Sequence, residues 1–325
     1  MYPLSERLNS PDGPIPVPST TPLFSTRSTL SPTTTIATLP PPPESLLPKN
    51  LKCTTNTIDD QFGTRLYRSM SNAGLFDRII MGQDVLINSW KWITHFGTCG
   101  ATLIAQRWAL TAAHCCNPTL LGKKVTFGST QLSGEGSGTR EVKIVDVELH
   151  ANFVPATFEN DVCLLQLSEN VEPNRNVAPA CLPSERLSEE FKGQCFIAGW
   201  GFVKEDHNER PMTLQEAQVP FVNHQTCQKI FDPFKRKIFE ENMMCFGGRK
   251  SDSCQGDSGG PLICVEGRKP VLRGIVSFGK GCGRPGLPGI YTRVSNYVEW
   301  IDLAIQKMMA RTGCGPVRSA FKVGY

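Results

Sequence analysis

Gly256-Asp257-Ser258-Gly259-Gly260-Pro261 sets one serine among three glycines. Glycines on either side let consecutive backbone N–H groups turn toward one point without side-chain obstruction, and converging N–H groups are what a developing oxyanion needs. The string also satisfies the G-x-S-x-G pattern of a nucleophile elbow. The α/β fold that carries that elbow runs nucleophile, acid, histidine along the chain, yet no histidine follows His224. Ser258 therefore has no imidazole downstream of it, and any base must come from earlier in the sequence. A glycine loop without a chemical role is the plain alternative.

Upstream there are five histidines in all, His95, His114, His150, His207 and His224. His114 stands in Thr111-Ala112-Ala113-His114-Cys115, where small residues before it and a cysteine after it pin the backbone beside a side chain that must be aimed. Read alone, a histidine beside Cys115 and Cys116 suits a zinc ligand or a core histidine equally well. Between His114 and Ser258 lies Asn160-Asp161-Val162-Cys163-Leu164-Leu165, an acid entering an apolar strand. An aspartate there is costly unless hydrogen-bonded, and an imidazole plus backbone donors would satisfy it while fixing the histidine tautomer. A turn aspartate facing solvent is the alternative. The order is His114, Asp161, Ser258.

Composition narrows the class. The chain has 325 residues, 39% hydrophobic and 20% charged, so it can bury a large core and is not disordered throughout. Its net charge of +4, from 34 basic and 30 acidic residues scattered along the chain, lacks the concentrated basic footprint of a nucleic-acid binder. No apolar run approaches the ~18 residues of a membrane span. Thirteen cysteines point to an oxidising compartment, so the mature protein reads as extracellular. Met1 to Leu30 contains no apolar stretch behind a basic start, so export is expected either through a leader absent from this sequence or by an unconventional route.

Residues 1–50 are dominated by Ser, Thr and Pro, with the run Pro40 to Pro43, and read as a disordered, solvated linker open to O-glycosylation. No Asn-x-Ser/Thr sequon with a permitted middle residue occurs. From about Leu75 to Asn296 short apolar or alternating runs are separated by Gly, Pro, Asn and Asp, the pattern of an all-β domain. Strands are expected within Ala101–Leu110, Glu141–Glu148, Val162–Leu167, Gln194–Ala198, Gly274–Ser277 and Gly289–Val294. Tyr297, Trp300, Ile301, Ala304, Ile305 and Met308 recur at three and four residues and predict one amphipathic helix.

The three segments around His114, Asp161 and Ser258 resemble those of the chymotrypsin-like (trypsin family) serine peptidases. Trp200-Gly201, Ser277-Phe278-Gly279, Pro288-Gly289-Ile290-Tyr291 and the helix from Tyr297 carry the same resemblance from Arg78 to about Met309. It implies two packed six-stranded antiparallel β-barrels, the active site in the cleft between them and a C-terminal helix on the second barrel. It implies Ser258 as nucleophile, His114 as general base and then acid, Asp161 as orienting carboxylate, and Gly256 and Ser258 as the oxyanion N–H donors. Asp252, followed by Ser253, matches the acidic floor of a trypsin-type pocket, with Ser277, Phe278, Gly279 and Gly289 along its walls. An unpaired carboxylate at the base of a narrow pocket favours a cation, hence cleavage after Arg or Lys.

The same resemblance divides the chain into the linker 1–50, a propeptide and activation segment 51–78, a peptidase domain 79–311 and a tail 312–325. Cleavage after Arg78 would free Ile79 to pair with Asp257. Met81 stands where the family usually has glycine, and Phe278 where tryptophan is commoner. The resemblance pairs Cys99 with Cys115, Cys195 with Cys264, Cys227 with Cys245 and Cys254 with Cys282, and tethers the propeptide through Cys53 and Cys181. Cys116, Cys163 and Cys314 remain. Cys116 and Cys163 each lie two residues downstream of a residue that catalysis must bring together, so a bond between them is expected, leaving Cys314 as the odd thiol. The implied partners are protein or peptide substrates with Arg or Lys before the scissile bond, an activating trypsin-like protease and protein inhibitors. No cofactor, metal or calcium site is expected. A non-catalytic homologue acting as an extracellular binding module is the rival reading, and a metal-bound module on His114, Cys115 and Cys116 lacks a second ligand pair.

Overall fold

The computed structural model describes residues 83–311, except 86–88, 185, 187, 189–190, 192, 204–208, 249–250 and 267–268. The linker, Cys53, Arg78, Ile79, Met81 and Cys314 lie outside the described residues.

After a two-residue strand β1 (Gln83–Asp84) come β2 (Ile93–Phe96), β3 (Cys99–Ala105), β4 (Trp108–Thr111), β5 (Lys124–Phe127), β6 (Arg140–Leu149) and β7 (Cys163–Leu167). Strands β2 to β7 form one antiparallel sheet in the order β2-β3-β4-β7-β6-β5. Its two ends meet, because Thr94 Oγ1 on β2 donates to the carbonyl of Thr126 on β5 at 2.7 Å, which curls the sheet toward a barrel. The chain then continues through β8 (Cys195–Gly199), β9 (Gln215–Gln218), β10 (Phe221–Val222), β11 (Met243–Gly247), β12 (Pro261–Glu266), β13 (Lys269–Phe278) and β14 (Pro288–Arg293). These make a second antiparallel sheet, β1-β9-β8-β12-β13-β14-β11-β10. Six of its eight strands have four residues or more, and the two-residue strands β1 and β10 extend its edges. The all-β class and the paired curled sheets are as the sequence implied, with the second sheet larger by those two short edges.

Some elements differ from the sequence reading. Ala101–Leu110 is not one strand but most of the β3–β4 hairpin, which turns at Gln106 and Arg107 and shifts register between Leu103 and Ala105. A short helix, His224–Phe231, begins where the Asn223 side chain accepts from the Thr226 N–H at 2.8 Å. The terminal helix spans Val298–Arg311 and buries Ile301, Ala304, Ile305 and Met308, the expected stripe. Its placement corrects the expectation that it sits on the second barrel. Lys307 and Arg311 pair with Glu148 on β6, Arg311 also with Asp146, and Trp300 lies against His150 just beyond that strand. The chain leaves the second sheet at β14 and lays its apolar face on the first, where β6 offers both acidic partners and partly buried Val147 and Leu149.

Five disulfides staple the described residues: Cys99–Cys115, Cys116–Cys163, Cys195–Cys264, Cys227–Cys245 and Cys254–Cys282. Cys181 is disulfide-bonded as well, and its expected partner Cys53 lies outside the described residues. Among the described residues no helix is long and apolar enough to cross a membrane.

Candidate active site

His114 sits on a single 3-10 turn, Ala113–Cys115, directly after β4. Small residues allow that turn to be buried: Ala112 and Ala113 are almost fully enclosed. Cys115 is bonded back to β3 and Cys116 across to β7, so two consecutive residues anchor the turn to different strands. Those bonds also remove the sulfurs from the zinc-ligand reading, because the thiolates a metal would need are tied up as disulfides.

Asp161 immediately precedes Val162 and β7 and is 0% exposed. Its two oxygens grip the histidine twice: Oδ1 accepts the His114 backbone N–H at 2.9 Å and Oδ2 meets Nδ1 at 2.7 Å. The second sheet completes the carboxylate's shell. Ser277 Oγ at the end of β13 donates to Oδ2 at 2.5 Å, and Thr292 Oγ1 on β14 donates to the Asp161 carbonyl at 2.7 Å. With Nδ1–H donated to Asp161 Oδ2, the other ring nitrogen, Nε2, keeps its lone pair. The His114 side chain keeps 22% of its surface exposed, so the ring is within reach of an incoming molecule.

Ser258 belongs to the loop before β12, and this loop is stitched to the first sheet. Gly100 on β3 donates its N–H to the Ser258 carbonyl at 2.7 Å, while Thr111 Oγ1 donates to the Gly100 carbonyl at 2.7 Å. Gly259 lies so close to Thr111 and Ala112 that a Cβ there would fall 2.2 Å from Thr111 Oγ1. The serine loop is thereby pressed against the segment that leads into His114. Within the loop the Asp257 N–H bonds the Cys254 carbonyl and the Gly259 N–H bonds the Val276 carbonyl. The N–H groups of Gly256 and Ser258 have no acceptor among the described residues. Gly256 has φ of +103°, a conformation that other residues rarely adopt, and a Cβ there would lie 2.9 Å from the Gly201 Cα.

Asp252 and Asp257 are both buried acids. Asp252 accepts N–H groups from Ser253 at 2.9 Å and Gly283 at 3.0 Å. Burial pushes its carboxyl up to about 7, with the Asp257 charge adding to the rise and the two N–H bonds opposing it. Gly289 makes room for it, since a Cβ there would lie 2.8 Å from Oδ1. Gly279, exposed beyond the end of β13, leaves the opposite side open. Asp257 is likewise pushed up, by burial, to about 6 against the N–H groups of Cys254 and Gly201 and the charge of Arg210. Its Oδ1 accepts from Gly201 at 2.8 Å.

A family model described as Trypsin matches residues 79–301. The chain belongs to the trypsin family. It is 39% identical to Serine protease 56 of Mus musculus over 239 residues, which is 69% of this chain and 38% of that protein. The human Serine protease 56 is 39% identical over 237 residues, again 38% of its length. Testisin of Homo sapiens is 36% identical over 258 residues, 73% of this chain and 79% of that protein. The chain thus spans less than two fifths of the Serine protease 56 proteins it matches.

Several neighbours of this trypsin-family site carry no signal in the sequence. Phe158, at φ of +60°, stands edge-on to the His114 ring at 5.4 Å and touches Phe278. Arg210 donates to the Gly97 carbonyl at 2.7 Å and packs on Gly256. Thr292 comes from a strand whose string Pro288-Gly289-Ile290-Tyr291 carries the family resemblance but gives Thr292 itself no role. The nearest available clue to Phe158 was its place three residues before Asp161, which says that it is close but not which way it points.

Proposed function

We propose that the chain is the zymogen of an extracellular serine endopeptidase, with the peptidase domain at 79–311, that cuts after Arg or Lys. The observation that carries this reading is that the serine loop, with two N–H groups that have no acceptor among the described residues, is pressed against the segment leading into a carboxylate-held imidazole. In this reading Ser258 Oγ bonds to the substrate carbonyl carbon while its proton passes to His114 Nε2. The carbonyl oxygen, now negative, accepts from the N–H groups of Gly256 and Ser258, and buried Asp161 stabilises the imidazolium. The imidazolium returns the proton to the leaving amine as the C–N bond breaks, leaving an ester on Ser258. A water then bonds to the ester carbon as its proton passes to Nε2, and the imidazolium gives that proton to Ser258 Oγ as the ester C–O bond breaks, releasing the acid and restoring the serine hydroxyl.

The site needs no cofactor for these steps. Asp252 supports the Arg and Lys preference, since a cationic side chain between Gly279 and Gly289 would meet an acid that, among the described residues, is hydrogen-bonded by two backbone donors. The disulfides support an extracellular setting. Substrates, an activating trypsin-like protease and protein inhibitors are the partners this reading entails. Purified chain activated at Arg78, assayed on peptides cut after Arg, provides the test. Ser258→Ala, His114→Ala and Asp161→Asn are each expected to lose most turnover, the last by about 10⁴-fold, a magnitude carried over from the family because the histidine is held in the wrong tautomer. A variant retaining more than about a tenth of wild-type turnover would overturn the triad assignment, whereas no turnover by the activated wild type would leave the binding-module alternative.

A further inference from the structure

The surface beside His114 carries positive charge that no acid among the described residues matches. Phe158 and Phe278 face each other at 5.3 Å beside His114, and the Arg236 guanidinium lies 4.3 Å from the Phe278 ring centre and 5.7 Å from that of Phe158. Its two terminal nitrogens donate to the carbonyls of Ala156 at 3.0 Å and Thr157 at 2.6 Å, so the group is fixed in place while its charge stays unpaired among the described residues. Lys280, next to Gly279, holds its Nζ 4.4 Å from the ring of Phe234, which is 42% exposed. Lys280 too has no acidic partner among the described residues. The nearby acid Asp232 is engaged by Gln228 at 2.7 Å.

We infer that Arg236 and Lys280 form a cationic rim selecting acidic side chains in the two or three substrate residues that precede the cleaved Arg or Lys. The inference rests on the peptidase reading above. A substrate side chain reaching Asp252 must pass Gly279, and an extended peptide laid along Ser277–Gly279 then carries its preceding residues past Phe278, alongside Arg236 and Lys280. A carboxylate there meets two cations on aromatic supports, where partial desolvation strengthens the attraction. Carboxylates are the only common side chains that gain from both cations, and a basic side chain in the same place is repelled.

The test uses the full chain activated at Arg78 and internally quenched peptides with a fixed Arg at the cleaved bond. The preceding residues are set to Asp, Ala or Lys. The expected result is a kcat/KM about five-fold higher for Asp than for Ala, lower still for Lys, with the ratio shrinking as salt is raised. Lys280→Glu should bring the Asp-to-Ala ratio to one or below. Arg236→Gln, which keeps an N–H donor for the 156 and 157 carbonyls but no charge, should lower the same ratio. Equal kcat/KM for Asp and Ala peptides in the wild type overturns the rim and leaves the peptidase reading standing. A ratio that survives both variants also overturns it. Turnover of none of the three peptides overturns the peptidase reading and the rim together.

Discussion

Asp252 is a buried acid whose burial costs the fold stability as pH rises. Its position six residues before Ser258 is legible in the sequence, because it stands in fixed register with the serine motif that carries the family resemblance. Its ionisation is not, because burial by β14 and by the loop of Gly283 is a tertiary fact. With the carboxyl raised from 3.8 to about 7, the folded state holds a proton the unfolded chain has released. Stability should therefore be fullest below the unfolded value, decline as pH rises between the two and stay reduced above about 7. Asp252→Asn removes that decline, at the loss of one N–H acceptor. The Tm difference between variant and wild type should then grow in the variant's favour from pH 5 to pH 8, read by thermal unfolding at both. A second consequence concerns ligands: an aryl amidine should bind the wild type more weakly as pH falls through 7, since the pocket acid must ionise to pair with it. Amidine affinity that is flat from pH 5 to pH 8 would contradict the placement of this acid at the pocket floor.

At the scale of elements, the strands were legible where apolar runs were long and separated by turn residues, as for β7 and β14. The β3–β4 hairpin was read as one run because Ile104 to Trp108 contains no glycine or proline to mark its turn. The helix His224–Phe231 was missed because its apolar residues are too few for a period to emerge. The Cys116–Cys163 bridge was legible for a geometric reason: catalysis demands that two short segments be neighbours, and each cysteine stands at the same offset within its segment. This bridge ties the His114 turn to β7 and closes a loop with a sequence separation of 47 residues. Chain-entropy reasoning puts its contribution at about 4 kcal/mol, through the unfolded chain. Cys116→Val with Cys163→Val should lower the unfolding free energy by roughly 2–4 kcal/mol in denaturant without reductant. The buried surroundings, with Cys163 at 0% and Cys116 at 8% exposure, suit valine, so the loss would report the cross-link. An unchanged midpoint would mean that the His114 turn is held by the Cys99–Cys115 bond and the Asp161 grip alone.

Across the whole molecule, neither sheet holds the site by itself. His114 and Asp161 come from the first, Ser258 from the second, and Ser277 and Thr292 reach back from the second to Asp161. Residue order along the chain identified these groups, but which sheet the terminal helix covers depended on packing that no local pattern encodes. The same division makes the molecule sensitive to one buried charge. Asp257 sits at the root of the serine loop and is pushed up to about 6 by burial, with Gly201 and Cys254 as its backbone donors. Cleavage after Arg78 would supply the α-amine of Ile79 as its counter-ion, ordering the loop that presents Gly256 and Ser258. An ion pair raises that amine above its reference of about 7.7–8.0, so its contribution is full below the reference value and lost as pH rises through the folded pKa. Activity on a small Arg amide should therefore fall reversibly on the alkaline side, while uncleaved Arg78→Gln should remain an inactive single chain. Nonreducing gels of the cleaved wild type should keep the Cys53-bearing segment attached through Cys181, and reduction should release it. Equal amide turnover before and after cleavage would mean that the loop around Ser258 is already ordered without the new amine, and that Asp257 is satisfied by Gly201 and Cys254 alone.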